Sequence, residues 1–329
     1  MRNYYLTSAG LIWLFLSWSL HAQTPQFTQF YLAPMAVNPA FTGTTTQYRM
    51  GLLHRQQWLG ASARMATTYA AFDANLPTIS SGAGAYLTHD TAPTGQFQQI
   101  ALQAVYSFQL RLSSKYILRM GLNAGLSNRS TAINSLRFTS QVRPDEPDVF
   151  EGNGSNSRFF ADFGSGILFY SAQFWAGASV LHLNKPDISF LTGESAALPR
   201  LYAAHMGGKF SFPTDGSGDI YLLPAMLFKQ QGAARQLDIG ARVAFERSPI
   251  QVGAQYRGLP LLQSFGLPRQ DAVAAIIGIY RDNWQMAYSY DLPISNMNRV
   301  TSGSHEIGIV YTWATRDFRR QTGIKCPVF

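Results

Sequence analysis

From Tyr48 onward the chain alternates apolar and polar residues with a period of two, again and again. Leu118, Met120, Leu122, Ala124 and Leu126 interleave with Arg119, Gly121, Asn123 and Gly125. Leu237, Ile239, Ala241 and Val243 interleave with Gln236, Asp238, Gly240 and Arg242, and Ile307, Ile309, Tyr311 and Trp313 with Glu306, Gly308 and Thr312. Successive side chains of a strand point to opposite faces, so this pattern belongs to strands with one apolar and one polar side. Fourteen such segments lie near 46–58, 64–76, 82–90, 96–110, 115–128, 158–170, 173–183, 200–212, 218–229, 233–246, 249–257, 270–281, 283–291 and 302–314. Each is about as long as a tilted membrane-spanning strand, roughly 9–11 residues.

Composition decides which side faces what. Charged residues make up only 13% of the chain, aromatics another 13%, and there are 28 glycines. A water-soluble domain carries about 25% charged residues, so this chain lacks the means to cover itself in water. Mean hydropathy is −0.06, far below that of a bundle of membrane helices. After Ala22 no apolar run approaches the roughly 20 residues that a spanning helix needs. In hydrocarbon the alternative is a closed barrel, because every backbone N–H and C=O must find a partner. The expected fold is all-β, a transmembrane antiparallel up-and-down β-barrel of about 14 strands, an even number.

Loop lengths give an independent sign. The even-numbered connections are short, around 77–81, 111–114, 171–172, 213–217, 247–248 and 282. The long ones, 129–157, 184–199, 258–269 and 292–301, all fall on the other parity. Outer-membrane barrels keep periplasmic turns short and outer loops long, which places both termini in the periplasm. A soluble β-sandwich alternates too, but it predicts neither this parity nor the low charge. Trp58, Tyr69, Trp175, Trp284, Tyr288, Tyr290 and Trp313 fall near strand ends and are expected to form aromatic girdles.

Residues 1–22 hold Arg2, a short apolar run from Leu11 to Leu16, and Ala22 before Gln23. This is the layout of a secretory signal peptide cleaved after Ala22. The division expected is 1–22 signal peptide, 23–45 a non-strand segment packing in or under the barrel, 46–314 the barrel, and 315–329 a basic periplasmic tail. The net charge of +8 is scattered over single residues such as Arg55, Arg64, Arg119 and Arg242. Nucleic-acid binding requires a clustered basic face, so it is not expected.

The chain carries few chemistry-bearing residues in recognisable spacings. The histidines, His21, His54, His89, His182, His205 and His305, form no metal-ligand spacing. Ser165 stands in Gly164-Ser165-Gly166 inside a strand, without the nucleophile-elbow pattern. Gly82-Ala83-Gly84 also lies in a strand and is no phosphate loop. The acidic stretch Asp145–Gly154 matches no defined calcium loop and is expected to be solvated. The single cysteine, Cys326, allows no intrachain disulfide. No catalytic, cofactor or metal residue is expected. A lipid hydrolase, which some barrels are, would need a nucleophile–base set that is not evident here.

Before the first strand, residues 26–43 read Gln-Phe-Thr-Gln-Phe-Tyr-Leu-Ala-Pro-Met-Ala-Val-Asn-Pro-Ala-Phe-Thr-Gly. There is no alternation, and Pro34 and Pro39 exclude it from a central strand. Its apolar and aromatic content keeps it out of water. The stretch resembles the opening of the PorP/SprF family of type IX secretion outer-membrane proteins of Bacteroidetes. The shared residues are Gln26, Phe27 and Gln29, then Asn38, Pro39, Ala40 and Gly43, then Arg55, Gln57 and Trp58 on the first strand. Thr24 stands where the family usually has Asp. Trp175–Leu183 and His305–Gly308 are also similar. The resemblance implies a non-enzymatic, cofactor-free outer-membrane barrel of the secretion and gliding machinery. It would anchor or help export secreted surface proteins, with outer-membrane lipid, cargo C-terminal domains and periplasmic secretion components as partners. Asn38, Pro39 and Gly43 are expected to set the backbone path rather than bind a ligand. The rival reading is a passive diffusion porin whose pore is lined by Arg119, Asp162, Asp238 and Arg242.

Overall fold

The computed structural model describes residues 24, 26–45, 48–59, 64–92, 97–131, 157–190, 193–214, 218–258, 272–294, 302–313, 324 and 326–327. Its strands are β1 (Tyr48–Gln57), β2 (Met65–Leu76), β3 (Ser81–Ala92), β4 (Phe97–Arg111), β5 (Ile117–Thr131), β6 (Ser157–Tyr170), β7 (Phe174–Leu181), β8 (Leu201–Gly208), β9 (Phe210–Phe212), β10 (Ile220–Gln231), β11 (Ala234–Phe245), β12 (Ile250–Gly258), β13 (Ala272–Arg281), β14 (Trp284–Pro293) and β15 (Ser304–Trp313). β8 and β9 are two halves of one stave, since both pair with β10. Their ladder breaks at Gly208 and Lys209, opposite Pro224 and Leu223; Pro224 has no N–H to offer, and the Lys209 N–H turns to Gln173 O on the other side (2.8 Å). Fifteen strands therefore make fourteen staves. β15 closes onto β1 from Tyr48↔Trp313 to Gln57↔Ser304, leaving no edge. Every expected segment overlaps a stave.

The alternation sorts side chains as anticipated. On β5, Arg119 is fully buried inside while Leu122 (61% exposed) and Leu126 (67%) face outward. The outer surface is an apolar wall suited to lipid. At the short-turn end Tyr48 stacks between Phe72 (6.1 Å) and Trp313 (5.7 Å), and Trp284 lies 4.4 Å from Tyr311. Two of the expected girdle residues lie elsewhere. Tyr69 and Trp175 are buried inside the barrel, because each shares strand parity with inward polar residues, Thr67 and Asp73 for the first and Ser179 for the second.

The connections sort by length as expected. One end carries 77–80, 112–116, 171–173, 213–219, 246–249 and 282–283; the other carries every long one, including 132–156 and 182–200. The hydrophobic core lies inside the barrel. Phe27, Phe30–Ala33, Met35, Ala40 and Phe41 pack there against Leu53, Tyr69, Leu168, Trp175 and Leu227. Cys326 joins this core and interacts with Arg119 and Tyr170 near the short-turn end. Thr24 bonds Gln231 and His182 at the long-loop end. Thr24 and Cys326 thus stand at opposite ends of the barrel. The signal peptide, the acidic stretch 145–154 and most of the basic tail lie outside the described residues.

Candidate functional site

Residues 26–45 run through the lumen from the long-loop end to the start of β1. Their own turns satisfy part of the backbone: Leu32 N–H donates to Gln29 O (2.8 Å) and Asn38 N–H to Pro34 O (2.9 Å). A single helical turn, α1 (Pro34–Val37), leads into a 3₁₀ turn, Pro39–Phe41. The remaining buried polar groups need partners from the wall.

In the long-loop half those partners are charged. Glu306 spans two successive amides, accepting Thr28 N–H on Oε2 (2.8 Å) and Gln29 N–H on Oε1 (2.8 Å). The Thr28 hydroxyl donates to Asp291 (2.8 Å) and accepts from Arg55 Nη1 (2.6 Å) and Arg257 Nη2 (3.0 Å). Gln29 Nε2 donates to Ser289 Oγ and to the Glu306 carbonyl, both at 3.2 Å. The wall charges also pair among themselves. Arg55 meets Asp291 (2.6 Å) and Glu306 (3.0 Å), and Arg257 meets Asp238 and Asp291 (both 3.3 Å). Lys229, buried on β10, interacts with Asp238 and evens the charge. Buried charges persist only when paired and hydrogen-bonded, and removing one partner strands the other.

In the short-turn half the segment sits in a cradle of missing side chains. A Cβ on Gly121 would collide with the backbone of Pro39 and Ala40, one on Gly166 with the Asn38 amide, and one on Gly308 with Leu32 (2.7 Å). Gly43 has φ +66 and lies against Gly82, where a Cβ would approach to 2.7 Å; both the backbone angle and the close approach demand glycine there. Asn38 caps the 3₁₀ turn through Ala40 N–H (2.8 Å). Its Nδ2 donates to Ile167 O (2.9 Å) and lies 2.9 Å from His205 Nε2. Phe41 stacks on His205 (5.0 Å) and meets Trp175 edge-on (5.7 Å). Asp73 accepts Gly43 N–H (2.7 Å) and pairs with Arg49 (2.6 Å), and Arg119 donates to the Gly43 carbonyl.

At the long-loop rim His182 lies between Asp162 (2.9 Å) and the Thr24 hydroxyl (3.0 Å). The order resembles a hydrolase relay. The Thr24 hydroxyl has one hydrogen and two neighbours, His182 Nε2 and Gln231 Oε1 (3.2 Å), and its direction toward His182 follows the imidazole tautomer. Among the described residues no group of His, Cys, Asp and Glu could hold a metal ion.

The structure thus brings most of the motif residues together along the lumen. Phe27 meets Tyr69 edge-on (5.7 Å), and Gln29, Asn38, Ala40, Gly43 and Arg55 take the contacts above. Gln26 is half-buried, Gln57 ends β1, and Trp58 follows it with its N–H on Gly303 O (2.9 Å). Asn38 does more than steer the chain, since it also docks onto the wall. The residues assigned to a pore lie inside but are covered: Arg119 by Gly43, Arg242 by the Tyr31 ring (3.5 Å), Asp162 by His182 and Asp238 by Arg257. Sequence reasoning missed Thr28, Arg257, Asp291 and Glu306 as one cluster. Their signal was inward parity on their strands, but no local spacing joins residues more than 200 positions apart.

Among solved structures the chain is similar to the Pseudomonas putida toluene transporter TodX (10% identity, 85% of this chain and 93% of that one, TM-score 0.47). It is also similar to the Ralstonia pickettii toluene transporter TbuX (10%, 86% and 94%, TM-score 0.45) and to Acinetobacter baumannii Omp33 (7%, 82% and 99%, TM-score 0.41). Toluene transport is a property named for two of those proteins. No curated protein matches the chain. The family model for the type IX secretion system membrane protein PorP/SprF matches residues 19–311. With that match spanning most of a closed, lipid-facing barrel, the chain belongs to the PorP/SprF family of type IX secretion membrane proteins.

Proposed function

We propose that this chain is a non-catalytic outer-membrane component of the type IX machinery that anchors secreted surface proteins or helps export them, and that its lumen conducts nothing passively. The observation that carries the second half is the filled lumen: Phe27–Ala33 and Asn38–Thr45 are buried among wall residues that a porin would leave wet. The first half is supported by family membership. In the orientation we propose, the short turns face the periplasm, as in other outer-membrane barrels. Thr24 and the long connections 132–156 and 182–200 then face outward as the surface for cargo, and the basic stretch 316–325 faces periplasmic partners. Part of the outer surface is ordered by Asp187, which accepts N–H groups of Ser189 and Ala196 and pairs with Arg158 (2.8 Å).

The test is a gene deletion complemented by the native chain or by one with 132–156 shortened to a tight turn. Large surface adhesins are expected to leave the cell surface in the deletion and to return only with the native chain. Unchanged surface localisation and secretion of every cargo in the deletion contradicts the proposal. A stable open conductance of the purified native protein in planar bilayers favours the porin reading instead.

A further inference from the structure

We propose that the charged pocket on β1, β12, β14 and β15 is a peptide-binding site in its own right, with residues 26–33 as its exchangeable ligand. Three observations lead there. First, the pocket is built without the segment. Arg55–Asp291, Arg55–Glu306, Arg257–Asp291 and Arg257–Asp238 are pairs within the wall, so withdrawing the ligand leaves the charges partnered and the site preorganised. Second, the pocket reads a polypeptide through both its main chain and a hydroxyl side chain. One carboxylate takes two consecutive N–H groups, while Asp291, Arg55 and Arg257 converge on a single hydroxyl. Third, the anchorage is divided. The glycine cradle holds the chain from Leu32 onward by shape, whereas Thr28 and Gln29 depend on polar contacts that water can replace, between the apolar packing of Phe27 and that of Phe30 and Tyr31. They also lie nearest the long-loop mouth, where Thr24 reaches the rim.

The ligand class follows from the donors. It is an uncharged, bent peptide with two free successive amides, a hydroxyl residue followed by Gln, and flanking aromatics. Phe27 rests against Tyr69, and Tyr31 lies under the Arg242 guanidinium. The wall charges balance one another, so the pocket matches a segment without net charge. The site stands whether or not the secretion role does.

The probe is a fluorescent synthetic peptide of residues 26–33, Gln-Phe-Thr-Gln-Phe-Tyr-Leu-Ala. In the native full-length protein the tethered segment competes at an effective concentration of about millimolar. In the full-length Thr28→Val/Gln29→Ala variant that competitor is weakened. The variant is expected to bind the peptide at least about tenfold more tightly than the native protein does, a difference of about 1.4 kcal/mol. Adding Glu306→Gln is expected to abolish the binding, as is replacing the peptide's Thr by Val. No binding to a variant that still shows heat-dependent gel migration overturns the proposal, as does equal binding with and without Glu306→Gln.

A second measurement applies if that variant does not fold. In a Phe27→Cys/Cys326→Ala protein, excess peptide is expected to speed maleimide labelling of position 27 several-fold by holding the tethered segment out. An unchanged labelling rate overturns the proposal.

Discussion

The two halves of the lumen hold the same segment by different physics. Near the long loops, Thr28 and Gln29 are gripped by Arg55, Arg257, Asp291 and Glu306. Near the short turns, Asn38–Gly43 lie in hollows left by Gly82, Gly121 and Gly166, with aromatic packing and one ion pair at Asp73. The first grip is charged hydrogen bonding and fails when a charge is removed. The second is contact and fails when volume is added. The comparison teaches that the plug is over-determined at its root, beside β1, and conditional at its tip.

Substitutions can break that contrast. The largest effect is expected from Glu306→Ala, which leaves two buried amides without an acceptor and Arg55 with Asp291 as its one carboxylate, at a cost of about 3–5 kcal/mol. Chemical denaturation in detergent reads the stability, and proteolysis of the tip reads its release. If Glu306→Ala leaves both unchanged, the long-loop half is not held by charge. Leu122→Arg, on the outward face of β5, is expected to cost about 2–4 kcal/mol near mid-membrane, measured by folding into liposomes. Its neighbour Gly121→Val adds volume toward Pro39 and Ala40 and is expected to cost about 1–3 kcal/mol, with loosening at the root and not the tip. Equal effects on both ends would erase the distinction between halves.

Thr24→Val removes the hydroxyl's rim bonds to Gln231 and His182, keeps the backbone N–H on Gln231, and is expected to cost about 0.5–1.5 kcal/mol. The smallest effect concerns the long connection 182–200. Backbone N–H groups of Ala196 and Ser189, then Arg158, hold the Asp187 carboxyl below the ordinary carboxylate range. That support is full above the carboxyl's unfolded pKa and is lost as pH falls through the lowered value. Hydrogen exchange at the Ala196 amide is therefore expected to lose protection, relative to its intrinsic rate, only in strong acid.

The barrel was legible because its signal is local. Alternation along Leu118–Leu126 names both the strand and its faces, and the parity of long connections orders the ends. Pro34 and Pro39 marked the segment as something other than strand. The same alternation, applied to Tyr69 and Trp175, places them inside with Thr67 and Ser179; nearness to a strand end was the weaker guide. What stayed hidden was who meets whom across the lumen. Glu306 and Thr28 are 278 positions apart, and their meeting depends on strand register and on the segment's path, which no single stretch of sequence encodes. The position of Thr24 at the far rim was hidden for the same reason, since nothing local fixes the direction in which an unpaired segment threads a barrel.

The central claim is that residues 26–45 occupy the lumen. A photo-cross-linking amino acid at Phe27, in the full-length protein in native outer membranes, tests it most directly. Cross-links to the β2 fragment carrying Tyr69, 5.7 Å away, are expected. Cross-links to lipid or to other proteins, with none to β2, would contradict it.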